Sequence, residues 1–75
     1  MKLGDYVKVN PDKITYHEKK YINKIGRIVE TFENYHGLVK VIFLGYKYDK
    51  IISKDKLVKI KLKITDIKRI VFNKN

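Results

Sequence analysis

The chain contains no cysteine and no tryptophan, one proline, one serine and two arginines among 75 residues. Without cysteine there is neither a disulfide framework nor a thiolate metal site, so stability has to come from packing alone. Ser53 is the only serine and there is no cysteine nucleophile, so the chain reads as non-enzymatic. His17 and His36 are the only imidazoles, and neither has a second ligand at metal-binding spacing, so no metal and no cofactor is expected. His17, Glu18, Asp5 and Asp49 can be paired on paper as acid and base, but scattered carboxylates among so many lysines make such pairings easy to find. Long apolar runs are also missing, because no stretch approaches the roughly 20 residues of a membrane span. Met1-Lys-Leu-Gly-Asp5 lacks the apolar core of a secretory signal. The expected setting is the cytoplasm of a cell, or of a cell infected by a phage, with no membrane and no small-molecule substrate as partner.

Acidic residues are scarce, eight against eighteen basic ones, which gives a formal charge of +10. Such a field attracts phosphate backbones or an acidic protein. The basic residues are almost all lysine, with Arg27 and Arg69 the exceptions, and Ile and Asn are abundant, as in the product of an A/T-rich genome. Two readings of the charge therefore stand, a functional surface and a codon-driven solvated one. Scarce arginine argues against bidentate guanine readout, for which its planar fork is the matching group. Residues 44 to 75 hold ten basic and three acidic residues against eight and five before them, so the charge is concentrated late.

What is present is enough for one core. Hydrophobic residues make up 44% of the chain and nine are Phe or Tyr, which argues for an ordered domain. A chain of this length buries only about 60% of its unfolded surface, leaving no room for a second core. Residues 1–75 are expected to form a single domain, with the body at about 3–64 and an extension at 65–75.

Tyr6 to Val9 alternates as a half-buried strand, with Val7 and Val9 on one face, and Asn10-Pro11-Asp12 ends it. Residues 13 to 23 show no clean period and read as a long loop with room for a helical turn. Gly26 to Phe32 is β-branched and aromatic, a second strand, and Gly26 is expected to hold a backbone conformation that only glycine accepts. Residues 33 to 37 form a turn in which Asn34 and Gly37 are best suited to positive φ. Leu38 to Phe43 is the most apolar run and is expected at the centre of the sheet. After Gly45, Tyr46 and Tyr48 are expected on one face of a strand that continues to Ile52. Ser53 to Lys56 reads as a Ser-capped 3₁₀ turn, and residues 57 to 64 as a last strand with Val58, Ile60, Leu62 and Ile64 on its apolar face. Ile67, Ile70 and Val71 fit either a helix or an additional strand.

Gly4-Asp5-x-Val7-x-Val9, a variable loop, Lys24-x-Gly26-x-Ile28 and Val39-x-Val41 together resemble the KOW motif, over about residues 4 to 43. The resemblance implies an all-β fold, a small SH3-like five-stranded barrel, and a place in transcription or translation complexes. Residues 43 to 60, ending in Lys54-Asp55-x-Leu57-Val58-x-Ile60, also resemble photosystem I subunit IV and the variable chain of ferredoxin-thioredoxin reductase, barrels that dock proteins.

Lysine for phosphates and tyrosine for stacking give binding that tolerates many base sequences. Tyr16, Lys19, Lys20 and Tyr21 lie in the first loop, and Tyr46, Lys47, Tyr48 and Lys50 around the turn after the third strand. If these loops share a rim, they form an aromatic patch ringed by lysine. Lys19, Lys20, Tyr21, Arg27, Tyr46, Lys47, Tyr48 and Lys50 are therefore the candidate nucleic-acid-binding residues. The opposing reading puts the Tyr46 or Tyr48 ring in the core with its hydroxyl at the edge. Lys59, Lys61 and Lys63 form a stripe that either binds phosphate or guards an exposed strand. The sequence thus points to a non-catalytic module binding nucleic acid, RNA before DNA. The alternative is a protein-docking module facing an acidic partner, such as a phage- or plasmid-encoded protein that modulates a host protein.

Overall fold

A computed structural model describes residues 1–63. Its strands are β1 (Tyr6–Val9), β2 (Gly26–Thr31), β3 (Leu38–Phe43), β4 (Lys50–Ser53) and β5 (Leu57–Ile60). Two 3₁₀ helices interrupt them, η1 (Tyr16–Tyr21) between β1 and β2, and η2 (Lys54–Lys56) between β4 and β5. All pairings are antiparallel, in one sheet of order β4-β3-β2-β1-β5. The chain is an all-β small domain, and its two outermost strands, β4 and β5, share no ladder among the described residues.

Alternation in β1 buries Val7 and Val9 and leaves Tyr6 and Lys8 partly exposed. Asn10 turns the chain by accepting the Asp12 N–H on its side-chain oxygen at 3.0 Å, in front of the solitary proline. In β2 the alternation holds through Ile28 and then breaks, because the register with β3 shifts between Ile28 and Glu30. This bulge gives the strand one extra residue and leaves Val29, Glu30 and Thr31 all exposed. β3 pairs with both β2 and β4 and supplies Val39, Val41 and Phe43 to the core. The central strand is β2, not β3, because β1 sits between β2 and β5. Val7, Val9, Tyr21, Ile28, Ile52 and Leu57 complete the buried cluster.

Four local expectations change. Tyr46 and Tyr48 are in a turn and not on a strand: Gly45 takes φ +89° and Tyr46 N–H donates to the Phe43 carbonyl at 3.0 Å, so the chain reverses at once after β3. In β5 the inward residue is Leu57. Its register pairs Val9 with Leu57 and Lys8 with Val58, so Val58 follows Lys8 outward, and the strand ends at Ile60. Asn34 and Gly37 do not adopt positive φ; Gly4, Gly45 and Asn23 do. Gly26 likewise has an ordinary φ, and its glycine is required by close approach, since a Cβ there would stand 2.6 Å from Val41 Cγ1. The expected alternatives at Ile67, Ile70 and Val71, and the extension at 65–75, lie outside the described residues.

Candidate nucleic-acid interface

Residues 13 to 23 owe their order to a threefold period. In a 3₁₀ helix side chains at i and i+3 line up, and η1 accordingly buries Glu18 and Tyr21 while Tyr16, His17, Lys19 and Lys20 stay exposed. Two anchors hold the buried pair. The Tyr21 ring stacks on Phe43 at 4.4 Å between centroids and lies 5.0 Å from the Tyr46 ring. The Glu18 carboxylate accepts the Thr15 N–H at 2.9 Å and the Thr15 hydroxyl at 3.2 Å, and pairs with the Lys56 ammonium at 3.1 Å. Burial pushes the Glu18 carboxyl up, but the Thr15 and Lys56 donors outweigh it and its pKa is lowered overall. Glu18 and Lys56 thereby tie η1 to η2.

The first loop and the turn after β3 do meet. The Tyr46 hydroxyl donates to the Lys20 carbonyl at 3.0 Å, and the Lys20 ammonium lies over both the Tyr21 and Tyr46 rings, at 5.3 and 5.9 Å. Tyr21 and the half-buried Tyr46 form the footing of this rim. The rings that reach solvent are Tyr16, 80% exposed, and Tyr48, 69% exposed. Each has its own lysine: Lys19 stands 5.7 Å from the Tyr16 centroid and Lys47 5.6 Å from that of Tyr48. Lys19 falls there because it is one 3₁₀ turn after Tyr16. Such exposed cation–π pairs contribute about 0.5–1 kcal/mol each.

The remaining candidates make none of these ring contacts. Lys50 opens β4 opposite Val41 and is half-buried. Arg27 is on β2 beside the Tyr6 ring at 5.9 Å, and lines a hollow with Leu3, Gly4, Ile28 and Val29. Lys59 stands 3.7 Å from Asp5, while Lys61 and Lys63 follow the end of β5. The Asp5 carboxyl is held below its ordinary pKa, first by the Lys2 N–H at 2.8 Å, against some opposing burial, with help from the Lys59 charge. Ser53 donates its hydroxyl to Asp55, which lowers that carboxyl in turn.

Glu18 and Lys56 are the functional supports that residue type did not single out. Their signal was the spacing Thr15-x-x-Glu18, a helix-start pattern in which the acid reaches back to the cap N–H. Among the described residues no three His, Asp or Glu side chains gather to hold a metal, and no helix is long and apolar enough to cross a membrane. No family model, no curated protein and no solved structure matches this chain.

Proposed function

We propose that this domain is a non-catalytic module that binds single-stranded nucleic acid, RNA before DNA, along the rim formed by η1 and the turn after β3. The observation that carries the reading is the pair of exposed tyrosines, Tyr16 and Tyr48, each with a lysine ammonium at its ring and Lys20 between the two segments. An unpaired base stacks on an exposed ring, and a lysine beside that ring meets the adjoining phosphate. A duplex hides its base faces and gains only the phosphate half of this arrangement. The sheet order, with a 3₁₀ turn ahead of β5, supports the SH3-like reading and the KOW resemblance that came with it.

The test is fluorescence anisotropy with a labelled single-stranded RNA and a duplex DNA across a salt series. If Lys19, Lys20, Lys47 and Lys50 each meet one phosphate, the single-strand slope is about −2.8, and affinity falls about 50-fold between about 50 and 200 mM salt. Tyr16→Ala with Tyr48→Ala should then lower single-strand affinity by about 10-fold or more and leave the slope unchanged, because stacking carries no counterion release. Lys47→Glu with Lys50→Glu should abolish binding in a folded protein. Equal affinity in that charge-reversed variant, or a salt-insensitive isotherm, sinks the proposal.

A further inference from the structure

The outer edge of β4 has bonding capacity that the sheet does not use. Lys54 N–H donates to the Gly37 carbonyl at 2.8 Å, and the ladder continues with Val39 opposite Ile52 and Val41 opposite Lys50. Backbone groups two residues apart on an antiparallel strand point the same way, so those of Lys50, Ile52 and Lys54 face β3. The Ile51 N–H and C=O and the Ser53 N–H therefore point away from it. β4 ends the sheet order, so among the described residues no strand meets them.

Beside this edge is an apolar hollow. The Ile51 side chain, 52% exposed, borders a recess of about 210 Å³ shared with Phe32, Tyr35 and Leu38, and its wall is wholly apolar. The recess is large enough for one branched aliphatic or aromatic side chain. Lys50 and Lys54 bracket the edge, and among the described residues neither is in an ion pair. The carboxylates close by are Glu30, paired with Lys40 at 3.2 Å, Asp55, occupied by the Ser53 hydroxyl, and the exposed Asp49 and Glu33.

We infer that β4 receives an extended acidic segment of a partner protein, added to the sheet as a further antiparallel strand. The segment's backbone pairs with Ile51 and Ser53, one apolar side chain fills the recess, and flanking carboxylates meet Lys50 and Lys54. A second copy of this chain fits poorly, because antiparallel pairing of two β4 strands would bring lysines against lysines on molecules that each carry +10. The inference does not rest on the nucleic-acid reading, whose stacking residues Tyr16 and Tyr48 are not part of β4.

The probe is a blocked synthetic peptide alternating glutamate with valine, titrated into ¹⁵N-labelled protein and followed by amide chemical shifts and hydrogen exchange. The expected result is shift changes centred on Ile51 and Ser53, with exchange of those two amides slowed, and no response to a lysine-valine peptide of the same length. Lys54→Glu should weaken binding by about tenfold. Ile51→Lys changes a half-exposed side chain, so its amide spectrum should keep the native dispersion while the peptide no longer binds. Failure of the glutamate peptide to bind, shift changes centred on Tyr16 and Tyr48, or an equal response to the lysine peptide overturns the inference. So does self-association of the protein alone through Ile51 and Ser53, which would make the occupant a second copy.

Discussion

Replacing Gly26 with alanine puts a methyl group where the core has no space for one. Built on the β2 backbone, that Cβ stands 2.6 Å from Val41 Cγ1 and 3.0 Å from Phe43 Cδ1 and Cε1. Ordinary carbon contacts lie at about 3.5–4.0 Å, so the overlap with Val41 is close to an ångström. Val41 and Phe43 are both fully buried, and neither can swing out to solvent. Overpacking of this kind costs about 1–3 kcal/mol, and alanine returns about 0.4–1 kcal/mol by restricting the unfolded chain. The net loss should be about 1–2 kcal/mol. For a domain of this size that lowers Tm by about 5–15 °C, read by circular dichroism. Urea titration of Gly26→Ala, Val41→Ala and the double variant makes the test specific. Val41→Ala alone should cost about 2 kcal/mol, but in the double variant the new methyl occupies part of the vacated space. The double variant should therefore lose at least about 0.5–1 kcal/mol less than the sum of the single losses, within the range for residues in contact. An unchanged Tm in Gly26→Ala, or strict additivity in the cycle, would refute the steric argument.

Glu18→Gln keeps the shape of the η1 anchor and removes its charge, and should cost about 1–2 kcal/mol at neutral pH. The Glu18 pKa is lowered in the folded state, so its contribution is complete above the ordinary value of 4.5 and is lost as pH falls through the folded value. The Tm gap between wild type and Glu18→Gln should accordingly close in acid, and a gap that persists at the lowest pH would show that the charge is not its source. Gly45→Ala meets no steric obstacle, but its φ of +89° disfavours any side chain. It should cost about 1 kcal/mol in thermal melts, and a neutral result would mean the turn after β3 relaxes freely.

The parts of the fold that sequence reveals are those in which one short-range rule acts alone. β1 and β3 bury alternate residues with an apolar pattern already visible in Val7-x-Val9 and Val39-x-Val41. η2 was legible from Ser53 at its start, although the serine hydroxyl donates to Asp55 and makes no cap hydrogen bond to the backbone. η1 was legible only as room for a helical turn, because a period of three is neither the twofold repeat of a strand nor the 3.6-fold repeat of an α-helix. β5 was read inside out, since Val58-x-Ile60 alternates as well as Leu57 does, and only pairing with Val9 decides between them. The site shows the same division. The meeting of the first loop with the turn after β3 was legible only as a condition, carried by the barrel resemblance and not by the tyrosine and lysine content of either segment. Which tyrosines face solvent was not, because Tyr21 is drawn under by Phe43, a partner distant in sequence.

The clasp between Glu18 and Lys56 spans 38 residues, and the loop it closes contains β2, β3 and β4. In polymer terms it is a reversible crosslink, and the entropy of closing such a loop grows only slowly with its length. The clasp has no local substitute, however, since the other donors to the Glu18 carboxylate both come from Thr15, within η1's own cap. A chain interrupted before Lys56 would leave that carboxylate buried without its cation, an arrangement costly enough to loosen η1. The surface that presents Tyr16 and Lys19 is thus held by η2, a turn that follows β2, β3 and β4 in the chain.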